Sequence, residues 1–238
     1  MEQPSKSDLC GVIVIDKPRG PTSMSMVNLV RRKCRKAKTG HAGTLDPLAT
    51  GVLVLGVGKM TKKLGQMMDT HKRYTTSIDL SATTAGHDSE YPRQEVSVPS
   101  VPKIEEIEKA VATFNGEVMQ APPIFSAIKV DGHRAYAEAR KGKEFTLEPR
   151  KVTVHAIRVL EFEWPIVKID IQCAKGFYVR SLARDLGKLL GTGGYCLEIH
   201  RTEVGKFTLA IAKKLEELPE FLSQEELISP DQVSEMLA

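Results

Sequence analysis

One stretch of this 238-residue chain gathers side chains that can do chemistry: Gly40-His41-Ala42-Gly43-Thr44-Leu45-Asp46-Pro47-Leu48-Ala49-Thr50-Gly51. Its glycines let a ligand approach the backbone closely. Asp46 offers a carboxylate and His41 an imidazole. A carboxylate in a dry pocket needs a cation nearby to stay ionised. Lys175-Gly176-Phe177-Tyr178-Val179-Arg180-Ser181 is a second cluster, in which Arg180 is a candidate for that cation and Lys175 and Tyr178 can face a ligand. The spacing alone does not pair Arg180 with Asp46, and Asp46-Pro47 also reads as an ordinary turn cap. Other chemistries lack their motifs. Gly56-Val57-Gly58-Lys59 misses the first glycine of a phosphate loop, and Met60 stands where Ser or Thr is needed. There is no Gly-x-Ser-x-Gly elbow. The six histidines and four cysteines show no metal-ligand spacing.

These clusters need elements to hold them. Gly11 to Asp16 reads as a buried strand followed by the turn Lys17-Pro18-Arg19-Gly20. Thr22 or Ser23 caps a helix running towards Lys36, whose cationic last turns suit the helix dipole. Residues 39–50 read as a loop, and Gly51 to Val57 as a second buried strand. Met60 to Thr70 reads as helix and Arg73 to Leu80 as strand. Residues 81–100 read as loop, and a helix follows between Pro102 and Asn115-Gly116. Asp131-Gly132 is a turn signal before a short helix over 135–141. Two antiparallel strands follow, Val152 to Phe162 and Ile166 to Cys173. Next comes a helix from Tyr178 to Leu190, with Leu182, Leu186, Leu189 and Leu190 on one side, ended by Gly191. Tyr195 to Phe207 supplies one or two strands, and the tail is helical in part. Strands and helices do not alternate, which predicts an α+β fold with a mixed or antiparallel sheet.

The composition is that of a globular chain, with 41% hydrophobic and 27% charged residues. No run of about 18 apolar residues is present to span a membrane, and the first residues do not read as a secretory signal. With no disulfide framework, the cytoplasm is the expected compartment. The net charge of +4 conceals an asymmetry. Residues 1–75 hold 14 Lys/Arg against 5 Asp/Glu, giving +9, whereas residues 215–238 hold 7 acids and no base, giving −7. The first third therefore suits a polyanion.

The motifs themselves resemble a known family, the TruB-type pseudouridine synthases. Gly40 to Leu53 looks like that family's signature, and so does Asp16-Lys17-Pro18-Arg19-Gly20-Pro21-Thr22-Ser23 before it. Further matches follow in order: Lys72-Arg73-Tyr74; Pro122 to Ala127 with Lys129, Gly132 and Tyr136; Lys175 to Arg180 with Asp185-Leu186-Gly187; and Arg201-Thr202-Glu203-Val204-Gly205. The resemblance covers about residues 11–208. It implies a pseudouridine synthase fold, α+β, with a mixed, mainly antiparallel central sheet flanked by helices. It implies conversion of the T-loop uridine of tRNA, position 55 by tRNA convention, to pseudouridine, with no metal or organic cofactor. Asp46 is then the catalytic nucleophile, attacking either the ribose carbon or the uracil ring. The base must leave the stack to turn. By the same resemblance His41 takes the flipped base's place, Tyr74 stacks on the uracil, and Arg180 pairs with Asp46. Tyr178, Lys175 and Ile199 line the base pocket, and Lys17 lies near the site. The cluster from Arg31 to Lys38 would hold phosphates.

Three departures stand out. The family pattern Thr-x-Thr-x-Asp appears as Thr84-Ala85-Gly86-His87-Asp88, with Gly86 for the middle threonine, so Asp88 is not carried over as a site residue. His200 stands where arginine is common. The RNA-binding PUA domain of many members has no counterpart before the chain ends. The expected organisation is a catalytic domain over 1–214, including the 81–100 loop, and a short acidic tail over 215–238. The expected partner is the T-arm of tRNA, without membrane or obligatory protein partner, and a monomer is favoured. A guide-RNA-dependent synthase of the dyskerin type and a non-catalytic RNA-binding module are the rival readings.

Overall fold

The computed structural model describes residues 8–124, 129–130, 133–134 and 147–238. In chain order the elements are β1 (Gly11–Lys17), α1 (Ser23–Lys33), β2 (Thr39–His41), β3 (Thr50–Val57), a 3-10 turn (Gly58–Lys63), α2 (Leu64–Asp69), β4 (Lys72–Asp79), β5 (Ala82–Thr83), β6 (Gln94–Glu95), α3 (Ile104–Ala112), β7 (Gly116–Gln120), β8 (Lys129–Val130), β9 (His133–Arg134), β10 (Arg150–Glu163), β11 (Ile166–Cys173), α4 (Val179–Leu190), β12 (Tyr195–Val204), β13 (Phe207–Thr208) and α5 (Pro230–Leu237). They fall into two compact units. One comprises Met1–Tyr74 with His200–Ala238, the other Thr75–Ile199. The short β8–β9 pair is antiparallel. The Asp131-Gly132 turn, the helix expected over 135–141, and Phe125 to Ala127 and Tyr136 of the matching motif lie outside the described residues.

In the first unit, β1 and β3 pair antiparallel from Gly11↔Val57 to Lys17↔Gly51. Val12 to Ile15 and Val52 to Leu55 are at most 1% exposed, which is why both strands read as unbroken apolar runs. The turn after β1 leads into α1, capped by the Thr22 hydroxyl, which accepts from the Ser25 N–H. The helix stops at Lys33, three residues short of the sequence expectation. Arg35 and Lys36 adopt φ of 49° and 66°, and their N–H groups close back on Arg32 and Arg31 carbonyls. That is the Schellman pattern formed without glycine. The stretch expected to be loop from residue 39 opens with a strand, β2, paired to β3 through Gly40↔Gly56 and His41↔Leu55. A side chain at Gly40 would meet Leu64 Cδ1 at 2.8 Å, so glycine lets the start of α2 close on this strand. His200 and Arg201 of β12 pair parallel with Thr50 and Gly51. The last residues complete the same core. Val12 and Ile228 exchange two backbone hydrogen bonds, and Val233 of α5 is fully buried against Val12 and Val14.

In the second unit the strand order is β12-β4-β11-β10-β7. The β10–β11 pairing is antiparallel, as the sequence predicts, and β10 also pairs antiparallel with β7, a strand the sequence reading did not give. Helix α4 ends at Gly191, which takes φ 68°. A side chain at Gly187 would lie 2.1 Å from the Gly193 carbonyl oxygen, so the helix end packs backbone on backbone. Leu182 and Leu186 are buried, but Leu189 is 56% exposed and lines an open pocket with Phe114, Val118 and Met119. The stretch expected to be plain loop over 81–100 holds the β5–β6 pair and two buried polar residues, Thr84 and Asp88. With β3–β12 parallel and the β1–β3, β2–β3, β7–β10, β10–β11 and β12–β13 pairings antiparallel, the fold is α+β with a mixed, mainly antiparallel sheet. Among the described residues no helix is long and apolar enough to cross a membrane.

Candidate active site

The Asp46 loop belongs to the first unit and is held by its backbone. The Ser23 hydroxyl at the start of α1 is 2% exposed; it accepts from the Leu45 N–H at 2.8 Å and donates to the Leu45 carbonyl at 3.0 Å. The Pro47 carbonyl accepts from the Gly20 N–H at 2.8 Å and from Lys17 Nζ at 3.3 Å. The Asp46 carbonyl itself accepts from the Ala49 N–H. The residues on either side of Asp46 are thus fixed while Asp46 itself is only half-buried. Lys17, expected near the site, is fully buried and also donates to the Pro18 carbonyl, so it braces the loop from beneath.

His41 sits at the end of β2, half-buried, with a buried Nδ1 that has no hydrogen-bond partner. Burial lowers its pKa, and the nearby Arg201 charge lowers it further, so the ring is neutral near pH 7. A neutral, unanchored ring suits stacking. His200 donates to or accepts from the Thr50 hydroxyl through Nδ1 at 2.8 Å. Tyr74 is half-buried on β4. Before it, Lys72 is 6% exposed and bonds the Met68 and Thr70 carbonyls, while Arg73 pairs with Glu203 at 3.4 Å.

The second unit carries the remaining expected residues. Arg180 is 5% exposed and its Nη1 lies 3.2 Å from Asp88 Oδ2. The same Nη1 donates to the Gly86 carbonyl at 3.3 Å. Asp88 is 1% exposed, and Thr84 clamps it by accepting from its N–H and donating to its carbonyl. The two ends of the Thr-x-Thr-x-Asp pattern therefore work together despite the glycine between them. That glycine has its own reason: a Cβ at Gly86 would lie 2.1 Å from Tyr91 Cε2, so the tyrosine ring occupies the space of a side chain there. Tyr178 precedes α4 with its N–H bonded to Gln120 Oε1 at 2.8 Å and its carbonyl to Gln120 Nε2 at 3.1 Å. Lys175 is exposed beside Gly176, whose φ is 88°, and Ile199 is buried.

Ser23, Arg201 and Gln120 were missed as supports of these loops. Their signal lies only in the fold, since each acts on backbone atoms far away in the sequence. In the basic cluster, Lys33 donates to the Leu218 and Pro219 carbonyls and Arg35 lies 5.5 Å over the Phe221 ring. These two cations serve the C-terminal segment. Arg31, Arg32, Lys36 and Lys38 are exposed and suited to phosphates.

His87, between Gly86 and Asp88, is half-buried with an unbonded Nδ1 and φ 57°. Burial, then the Arg184 and Arg180 charges, push its pKa down to about 4. An unfolded histidine takes a proton near pH 6.5, so its contribution is fully present above that pH and is lost as pH falls towards 4. His87→Asn, which tolerates the left-handed backbone, is expected to lose less stability than the parent between pH 6.5 and 4 in urea titrations. Parallel pH curves would refute this.

Comparison with known proteins identifies the family. The model of the TruB family pseudouridylate synthase N-terminal domain matches residues 31–179. That of the tRNA pseudouridylate synthase B C-terminal domain matches residues 180–237, taking the acidic end together with α4. A tRNA pseudouridine synthase B from Arthrobacter sp. is 45% identical over 90% of this chain and 72% of its own length. One from Parabacteroides distasonis is 39% identical over 90% of this chain and 93% of its own. Among solved structures, a chain of a Cbf5-Nop10-Gar1 complex superposes with TM-score 0.69 at 28% identity, over 91% of this chain and 59% of that one. A chain of an H/ACA RNP bound to a substrate RNA containing 2'-deoxyuridine gives TM-score 0.65 at 28% identity, over 87% of this chain and 52% of that one. This chain thus spans little more than half the length of those two. With both parts of the chain matched by the family's models and its relatives aligned over most of their length, this chain belongs to the TruB family of pseudouridylate synthases.

Proposed function

We propose that this chain isomerises the T-loop uridine of tRNA, position 55, to pseudouridine, with Asp46 as the nucleophile. The observation that carries the reading is the loop itself: Leu45 and Pro47 are pinned on both sides of an aspartate that is only half-buried. Pre-fixed geometry lowers the entropic cost of attack. Asp46 attacks the ribose carbon or the uracil ring. By either route the C1'–N1 bond breaks, the detached base rotates, a C1'–C5 bond forms, and the C5 proton leaves as N1 gains one. The reaction balances as an isomerisation and needs no cofactor. His41 fills the space of the extruded base, and Tyr74 stacks on the uracil and assists proton removal. Arg180 serves as the reaction's cation. Tyr178, Lys175 and Ile199 form the pocket, with Lys17 supporting the nucleophile's loop.

We read residues 1–214 as the catalytic region and 215–238 as a short acidic segment joined to it. The partner is the T-arm of free tRNA, in the cytoplasm, with a monomeric enzyme and no protein partner. The similarity to chains of a Cbf5-Nop10-Gar1 complex and an H/ACA RNP favours a guide-dependent alternative. One experiment decides between them. The purified protein is mixed with an unmodified tRNA transcript and pseudouridine is mapped by chemical probing. Product at the T-loop uridine from the protein alone is expected. RNA bound without product would overturn the reading. Affinity is also expected to fall steeply with salt as the exposed cations of the first unit release counterions, by about tenfold or more from 50 to 200 mM. A flat response would remove them from the interface.

A further inference from the structure

The loop that carries Asp46 is closed by a buried cation that has no assigned part in the reaction. Arg201 stands on β12 opposite Gly51 and is 1% exposed. Its Nε donates to the Val52 carbonyl at 2.8 Å, Nη2 to the Gly43 carbonyl at 3.2 Å, and Nη1 makes a longer bond to the Thr44 carbonyl at 3.5 Å. The entry to the loop and its exit are thereby tied to one planar group. We infer that Arg201 is a positioning residue for the isomerisation, holding the backbone of residues 43–52 in the arrangement that presents Asp46. This rests on the reading of Asp46 as the nucleophile.

Three observations support it. Burying a guanidinium is costly, and apolar residues of similar volume often stabilise as well or better. The three hydrogen bonds of Arg201 end on neutral carbonyls, and among the described residues no ion pair explains the burial. The carbonyls are splayed in a fork that guanidinium geometry matches and an ammonium group does not. Glycine occupies both points where the backbone closes over this residue. Gly43 has φ 99°, with its Cβ position 3.6 Å from Arg201 Nη1, and Gly51 has φ 95°, with its Cβ position 2.2 Å from the Arg201 carbonyl oxygen. Chain closure around Arg201 is therefore built into the loop's sequence. It also places a fixed positive charge beneath the loop, which favours anionic groups there.

The test separates fold, binding and chemistry. Arg201→Met and Arg201→Lys are compared with the parent for cooperative unfolding, T-arm RNA affinity and single-turnover rate with enzyme in excess. Arg201→Met is expected to fold, to bind RNA within about threefold of the parent, and to lose about 100-fold in rate at saturating RNA. Arg201→Lys keeps the charge and one bond, and is expected to recover about tenfold of that loss. If the methionine variant does not fold, the lysine variant decides, with a rate loss of about tenfold at unchanged affinity. A folded variant with the parent's rate overturns the inference. So does a rate loss that disappears at saturating RNA, or failure of both variants to fold. A parent protein that binds RNA and forms no product overturns the proposed function instead, and this inference with it.

Discussion

Asp46→Asn is expected to bind T-arm RNA as the parent does and to form no pseudouridine, a loss on the order of 10⁴-fold or more in single-turnover rate. Asparagine is nearly isosteric with aspartate, and the bonds that shape the loop run through backbone atoms: Leu45 to Ser23, Pro47 to Gly20 and Lys17, and the Asp46 carbonyl to Ala49. None of them needs the carboxylate. The substitution therefore removes the proposed nucleophile and keeps these backbone bonds. Product formation at more than a few per cent of the parent rate would take Asp46 out of its role. A collapse of RNA affinity would show instead that the carboxylate shapes the binding surface.

Asp88→Ala is expected to be the most destabilising single change among the polar residues discussed here, at about 3–5 kcal/mol in urea unfolding. Asp88 and Arg180 are 1% and 5% exposed and lie 3.2 Å apart. Removing the carboxylate takes a charge-assisted bond from a guanidinium that is 5% exposed. The double variant with Arg180→Met is expected to regain much of the stability, since the buried charge goes as well, while the loss of Arg180 abolishes product formation. Stabilities that simply add would show that the two residues are not coupled. This separates the pair's contribution to the fold from that of Arg180 to the reaction.

What the sequence made legible was local. The paired strands β1 and β3 announce themselves as apolar runs, α1 by Thr22, and the end of α4 by Gly191. The Asp46 loop was visible because its chemistry and its glycines are contiguous. The supports of that loop were not visible. Arg201 reaches Gly43 across 158 residues, and Gln120 grips Tyr178 across 58. Such bonds to main-chain atoms leave no pattern in residue type. Asp88 was set aside because Gly86 replaces the pattern's middle threonine, yet this glycine accommodates Tyr91 and leaves Thr84 and Asp88 bonded to each other. The cationic run from Arg31 to Lys38 looked uniform, although Lys33 and Arg35 face the C-terminal segment.

The division into two units has a consequence for the order of folding. The first unit is assembled from the two ends of the chain, and its contacts include one between Cys10 and Gln224, 214 residues apart. The second is a continuous stretch. Closing a loop of some 200 residues costs about 5 kcal/mol in chain entropy before any contact repays it. Once the second unit forms, its own two ends are already side by side: the Thr76 hydroxyl on β4 bonds the Glu198 carbonyl on β12 at 2.6 Å. The insert then acts as a short tether between residues 74 and 200, and the search that remains for the outer segments is a local one. The Asp46 loop, which belongs to the first unit, is thus expected to mature after the middle of the chain, although its residues are made first.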